Sequence, residues 1–186
     1  GTGNLRCVTK ALARVGGAYG RAADAVKITA AENVVLPGGG AARPAMDKLR
    51  AAGLVETIKA LTQPVLGICL GMQLRCSRSE EGEAECLGIF ENEVRRFDIP
   101  GLKVPHMGWN GIDGLRTPLY RGLEENSYVY FVHSYAVETN GNTIATTGYG
   151  LPFSASLNKD NFFGAQFHPE KSGPVGERIL RNFLEL

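Results

Sequence analysis

The stretch PVLGICLGMQ, residues 64–73, constrains the fold more than any other part of the chain. An apolar run of this kind reads as a buried strand, and it leads straight into Cys69, flanked at two residues' distance by Gly67 and Gly71. Gly67-Ile68-Cys69-Leu70-Gly71 has the form of a nucleophile elbow with cysteine in place of serine. A side chain offered at a sharp strand-to-helix turn sits on strained backbone, and its neighbours two residues away must be small for the turn to pack. A helix starting at Leu70 would point its positive end at Cys69 and favour the thiolate. The competing reading is an inert core cysteine, because free Cys packs as a small hydrophobe.

The rest of the chain supplies a matching framework. In residues 4–15, Leu5, Val8, Leu12 and Val15 form a helical stripe that places Cys7 near the core face. Residues 33–37 read as a short buried strand stopped by Pro37 and a triple-glycine loop, and 43–61 as helix interrupted near Gly53. Helix following strand implies a mostly parallel central sheet covered on both faces. In the second half, 127–137, 142–148, 153–157 and 161–168 read as strands, with NKDN as hairpin turn. An amphipathic helix carrying Val175, Ile179, Leu180, Phe183 and Leu184 closes the chain. With 186 residues and no internal repeat, the expectation is one α/β domain, 1–186, with an antiparallel extension in its C-terminal half.

Composition narrows the partners. Twenty basic residues against nineteen acidic leave a net charge of +1, and no Lys/Arg block is present to track a phosphate backbone, so nucleic acid is not expected. No stretch is long and apolar enough to span a bilayer, so no membrane is expected either. The four cysteines form no CxxC pair, which favours a reducing compartment, and three scattered histidines lack metal-ligand spacing. Neither metal nor cofactor is expected. Gly1-Thr2-Gly3 lacks the sixth-position glycine of a dinucleotide fingerprint, where Arg6 stands. Cys76 and Cys86 read as structural.

A second constellation lies near the C-terminus. In FHPEKS, Pro169 pushes His168 toward an extended conformation. Side chains two apart on an extended segment share a face, so Glu170 can orient the His168 ring. His168 would then take the proton of Cys69 and return it to a leaving amine. Donors for a tetrahedral oxyanion would come from the N–H groups of Leu70 and of Gly39, in the loop Pro37-Gly38-Gly39-Gly40. Read alone, His168 and Glu170 could equally be surface residues before a helix.

GICLGMQ, FHPE and the PGGG loop together resemble the class I (triad) glutamine amidotransferases. Within them VPHMGWN, SEEG, YFVHSY, HPEKS and GTGNLR are similar to the glutaminase subunits of imidazole glycerol phosphate synthases. The resemblance implies a glutaminase of histidine biosynthesis, cytoplasmic and without cofactor. It would form a heterodimer with a (β/α)8-barrel cyclase that receives the ammonia. It further implies Cys69 as nucleophile, His168 as acid/base and Glu170 as orienting partner. Gly38, Gly40, Gln73, His133, Ser134 and Tyr135 would hold the substrate's amino-acid end. Asn4, Met107, Trp109, Asn110, Tyr130 and Lys171 would lie toward the cyclase. The chain departs from the family in lacking the strand that usually precedes GxGN, and in carrying Gly39 where a β-branched residue is usual. The alternatives are another class I glutaminase serving anthranilate or pyridoxal phosphate synthesis, a γ-glutamyl hydrolase, or a catalytically silent docking module.

Overall fold

The computed structural model describes residues 2–186, with the side chains of 2–4 outside the described residues. Helix α1 (Thr2–Arg14) buries Val8 and Leu12, and Val15 just after it is buried too, along the stripe read from the sequence, but Cys7 is exposed rather than near the core. Helix α2 (Ala25–Ala30) was not expected; it begins at Asp24, whose carboxylate accepts from the Lys27 N–H at 2.9 Å. Strand β1 (Val34–Leu36) is followed by α3 (Ala42–Ala51) and α4 (Val55–Lys59), divided at Gly53, whose φ of +64° ends the first helix. Strand β2 (Val65–Ile68) then meets the single-turn helix α5 (Leu70–Gln73).

Beyond it come three short strands, β3 (Arg78–Ser79), β4 (Ala84–Glu85) and β5 (Glu93–Arg96). A hairpin follows, β6 (His106–Ile112) and β7 (Ser127–His133). The expected strand over 127–137 breaks at Ser134, because β8 (Tyr135–Val137) joins a different sheet, ordered β4-β3-β5-β8. Strands β9 (Thr143–Tyr149), β10 (Leu151–Lys159) and β11 (Phe162–Ala165) precede helix α6 (Gly173–Leu184).

The central sheet runs β1-β2-β11-β10-β9. Its first pairings are parallel, β1 to β2 and β2 to β11, and its remaining ones antiparallel. Strand β2 therefore lies between two parallel neighbours, which explains its unbroken apolar run. Its residues alternate between two cores. Leu66 and Ile68 pack with Val8, Phe131, Phe153 and Ile179, while Val65 packs with Met46, Ile58, Met72 and Phe90 on the other face.

Arg75 is wholly buried, which nothing in the sequence foretold. Its guanidinium donates to the carbonyls of Gly71 (3.2 Å), Val65 (3.1 Å) and Phe163, tying the turn after Cys69 to both β2 and β11. Burial pushes it down to about 9, so it is still charged at neutral pH. A cavity of about 810 Å³ lies along the outer side of β1, lined by Leu5, Val8, Leu12, Val35 and Leu184. It contains none of the residues expected to do chemistry.

The elbow is packed against backbone. A Cβ on Gly71 would collide with the Leu36 carbonyl oxygen of β1, a group held in the sheet and unable to move aside. Gly71→Ala is therefore expected to lower stability by about 2 kcal/mol or more, read as a fall in the urea unfolding midpoint without a change in slope.

Candidate active site

Cys69 follows the last residue of β2 with φ 50° and ψ −110°, a conformation L-residues avoid. Strain of this kind costs about 1–3 kcal/mol and persists only where the surroundings enforce it. Here the Cys69 N–H donates to the Ala165 carbonyl at 2.7 Å, and the glycines at 67 and 71 let the chain fold back on itself. The helix expected to start at Leu70 does so, but it is a single turn. Its dipole at Cys69 is correspondingly weaker than a long helix would provide.

His168 arrives from the neighbouring strand end. It is extended, at φ −104° and ψ 97°, as Pro169 requires, while Pro169–Lys171 forms a 3-10 turn. The turn, rather than a continuous extended segment, brings Glu170 Oε1 to 2.8 Å from His168 Nδ1. Both side chains are almost fully buried. Burial is the largest influence on the ring and opposes its charge, but contacts with the Cys69 sulfur and the Glu170 carboxylate outweigh it, and His168 is raised to about 9. Its Nε2 is buried with no hydrogen-bond partner among the described residues, and so is Glu170 Oε2. Buried unsatisfied groups are rare enough to mark a site waiting for a ligand atom or a proton.

The sulfur has two other neighbours. Cys69 Sγ donates to the Val132 carbonyl of β7 at 3.8 Å and accepts from Gln166 Nε2 at 3.6 Å. Gln166 Oε1 accepts from Gln73 Nε2 at 2.9 Å, and the same Gln73 nitrogen donates to the Tyr135 carbonyl at 3.0 Å. Gln73 was read from the sequence, but Gln166 was not. The signal available was its place two residues before His168 on an extended chain, which puts both on one face.

The glycine loop lies against the elbow. A Cβ on Gly38 would come within 2.6 Å of the Leu70 nitrogen and 3.2 Å of Cys69 Cβ, so the backbone at 38 touches the turn that bears Cys69. Gly40 has φ +88°, and both Gly39 and Gly40 are exposed. The Leu70 N–H is the first of α5 and has no acceptor within its own helix. Helix α3, which follows the loop, is capped from a distance: Glu81, in the SEEG segment, accepts from the Ala42 N–H at 3.0 Å. Sequence reasoning assigned no role to Glu81.

Ser134 and Tyr135 are half-buried at the junction of β7 and β8. The His133 side chain turns the other way. Its ring lies among Phe97, Phe131 and Phe153 at centroid distances of 5.2–5.6 Å, and its Nδ1 is 2.7 Å from the Tyr135 carbonyl. Burial above all holds His133 at about 3, hence neutral, so its Nδ1–H donates to Tyr135 and its Nε2 accepts from His106 Nδ1 at 3.0 Å. The imidazole therefore supports Tyr135 from behind.

On the outer face of the hairpin, Trp109 stands opposite Tyr130 and Gly111 opposite Tyr128. Met107, Trp109 and Tyr128 are exposed by 61%, 55% and 53%, Tyr130 is half-buried against Trp109, and Lys171 Nζ lies 6.0 Å over the Tyr130 ring. Tyr128 was not among the residues read from the sequence as lying toward a partner. Asn110 points to the opposite face and donates to the Gly148 carbonyl at 2.8 Å. The Asn4 side chain lies outside the described residues.

A family model described as glutamine amidotransferase class-I matches residues 6–186, and the chain belongs to that family. Among its relatives, the imidazole glycerol phosphate synthase subunit HisH of Bacteroides fragilis is 52% identical over 187 residues, covering 99% of this chain and 95% of that one. The subunit of the same name from Salmonella typhimurium is 49% identical over 188 residues, covering 100% and 96%. A solved glutamine amidotransferase superposes with a TM-score of 0.75 at 18% identity, over 97% of this chain and 92% of that one. A glutamine amidotransferase from Thermotoga maritima does so with a TM-score of 0.63 at 18% identity, over 91% and 81%. At that identity these two establish a shared fold.

The raised His168 has a consequence for stability. Its charged form contributes fully below its ordinary value of 6.5, and the contribution is lost as pH rises through about 9. Glu170→Gln removes part of what raises it. The variant is expected to fall short of the parent most at pH 6 and to approach it near pH 10, as measured by urea unfolding at both ends.

Proposed function

We propose that the chain is the glutaminase subunit of an imidazole glycerol phosphate synthase, acting through Cys69, His168 and Glu170. About half of all residues are identical to subunits of that name along nearly the whole chain, and this observation carries the reading. In the reaction, His168 Nε2 holds the proton that Cys69 gives up, and the thiolate of the resulting ion pair adds to the side-chain amide carbon of glutamine. The carbonyl electron pair moves onto oxygen, which the N–H groups of Leu70 and Gly39 receive. Collapse of the adduct expels the amine, protonated by His168 Nε2, as ammonia. Water, deprotonated by the same nitrogen, opens the thioester to glutamate and restores the thiol. Glu170 keeps Nδ1 protonated and steadies the charged ring.

Gly38, Gly40, Gln73, Ser134 and Tyr135 surround the place where the amino-acid end of glutamine would lie. Both N–H groups of Gln73 already have acceptors, so it meets substrate through its oxygen. The outer face of the hairpin, with Met107, Trp109, Tyr128, Tyr130 and Lys171, is the docking surface for a (β/α)8-barrel cyclase in a heterodimer. Exposed aromatic residues grouped on one face are the residue types that dominate association energies. Strand β7 adjoins both this face and the chemistry: its Tyr130 carbonyl accepts the His168 N–H at 2.9 Å, and its Val132 carbonyl faces the sulfur. A cytoplasmic location belongs to this reading, and the four free cysteines accord with a reducing compartment.

Ammonia release from glutamine, measured with and without a cyclase barrel and its nucleotide ligand, tests the proposal. Release should rise when the barrel is present. Indifference to the barrel would point instead to a glutaminase of another pathway, and failure of a glutamine-analogue electrophile to label Cys69 would leave only a docking module. Trp109→Ala should weaken barrel binding by roughly tenfold or more in Kd while leaving partner-free turnover in place. Gly39→Val should lower partner-free turnover, because glycine lets the loop peptide turn its N–H toward the oxyanion more readily, and loss of such a donor costs about 100- to 1000-fold.

A further inference from the structure

Gln166 is wholly buried, and the mechanism above leaves it without a task. We propose that its side-chain amide is a catalytic donor to the nucleophile, holding the Cys69 sulfur and stabilising the thiolate both before attack and when the thioester opens. The inference rests on the reading of Cys69 as the nucleophile.

The orientation of the amide follows from the network around it. A backbone carbonyl can only accept, so the Gln73 group facing the Tyr135 carbonyl must be its NH2. That nitrogen also meets Gln166, which must present its oxygen there at 2.9 Å. The Gln166 NH2 is then the group left 3.6 Å from Cys69 Sγ. Its backbone is equally fixed, since the Gln166 N–H donates to the Ala155 carbonyl of β10 at 2.9 Å. The donor is thus aimed before any substrate arrives.

Ionisation makes such a donor necessary. While the sulfur carries its proton, it is directed at the Val132 carbonyl, 3.8 Å away. Once that proton moves to His168 Nε2, the same carbonyl oxygen faces an anion and repels it. The one-turn helix α5 offers little compensation. The Gln166 amide N–H keeps a favourable partner for the charge, and its hydrogen bond strengthens as the sulfur becomes anionic. Gln166 and His168, two residues apart on an extended chain, accordingly reach the sulfur from one face, one as donor and one as base.

The test is the rate of Cys69 alkylation by iodoacetamide against pH in the whole chain, beside ammonia release from glutamine. In Gln166→Leu, alkylation at pH 7 is expected to slow about tenfold, the pH–rate curve to move to the alkaline side, and kcat to fall with little change in KM. A purely structural residue would lower the unfolding midpoint and leave that curve in place. Gln166→Glu, which turns a carboxylate toward the sulfur, should displace the curve further in the same direction. Independently of any variant's folding, the Gln166 side-chain amide proton signal should titrate with pH in the unmodified chain and cease to do so in Cys69→Ser. An unmoved curve in a folded variant, or an amide signal that does not follow the thiol, would overturn the proposal. Failure of the unmodified chain itself to release ammonia would instead remove the nucleophile on which it rests.

Discussion

The parallel pairing of β2 with β11 is the constraint on which the site depends. Parallel neighbours end on the same side of a sheet, and ligand sites in open α/β sheets lie beyond those carboxyl ends. Residues almost a hundred positions apart in the chain are thereby set side by side, with Ile68 in register with Ala165 and the Cys69 N–H bonded to the Ala165 carbonyl at 2.7 Å. From that bond outward, one strand continues into the elbow and the other into Gln166-Phe167-His168. Alternation along the second strand then decides which side chains face the sulfur. Phe167 enters the core, whereas Gln166 and His168 turn toward Cys69. Arg75 holds the same junction from beneath, through carbonyls of β2, β11 and the elbow itself.

Elements whose cause is local could be read from the sequence. The elbow glycines, the apolar run of β2, the strand stopped by Pro37 and the final amphipathic helix each follow from steric rules or periodicity within a few residues. His168 and Glu170 were legible for the same reason, because Pro169 restricts both itself and the residue before it. What could not be read depends on contacts between distant segments. A glutamine in an apolar stretch looks like any strand residue until β8 and α5 surround it, and an arginine after GMQL looks solvated until three carbonyls close around it. Cys7, read as lying near the face of the Leu5-Val8-Leu12-Val15 stripe, is exposed, because the buried stripe is too narrow to reach it. The His133 side chain was misplaced because alternation along β7 sends it inward with Val129 and Phe131, and only after it does the break at Ser134 bring the chain to the site.

Polar groups are treated differently at the site and directly behind it. Behind the site, donors and acceptors form a closed chain: His106 donates to His133, His133 to the Tyr135 carbonyl, and Gln73 to that carbonyl and to Gln166. Every member has a fixed direction, which suits a rigid support. At the site the pattern reverses, with His168 Nε2 and Glu170 Oε2 buried and without partners among the described residues, and Cys69 on strained backbone. Such groups cost stability and are retained where a proton or ligand atom must come and go.

Strand β7 joins these two regimes. One of its edges pairs with β6, whose outward side chains are exposed, and the other presents the Tyr130 and Val132 carbonyls to His168 and Cys69. Because His168 is anchored to β7 by a 2.9 Å backbone hydrogen bond and the Cys69 sulfur only by a 3.8 Å contact, a small shift of the strand would alter the two unequally. A load on the outer face would therefore change the separation of thiol and ring, a distance on which proton transfer depends steeply. If the outer face docks a partner as proposed, control of the chemistry becomes a matter of ångströms within one strand, with no need for rearrangement of the core.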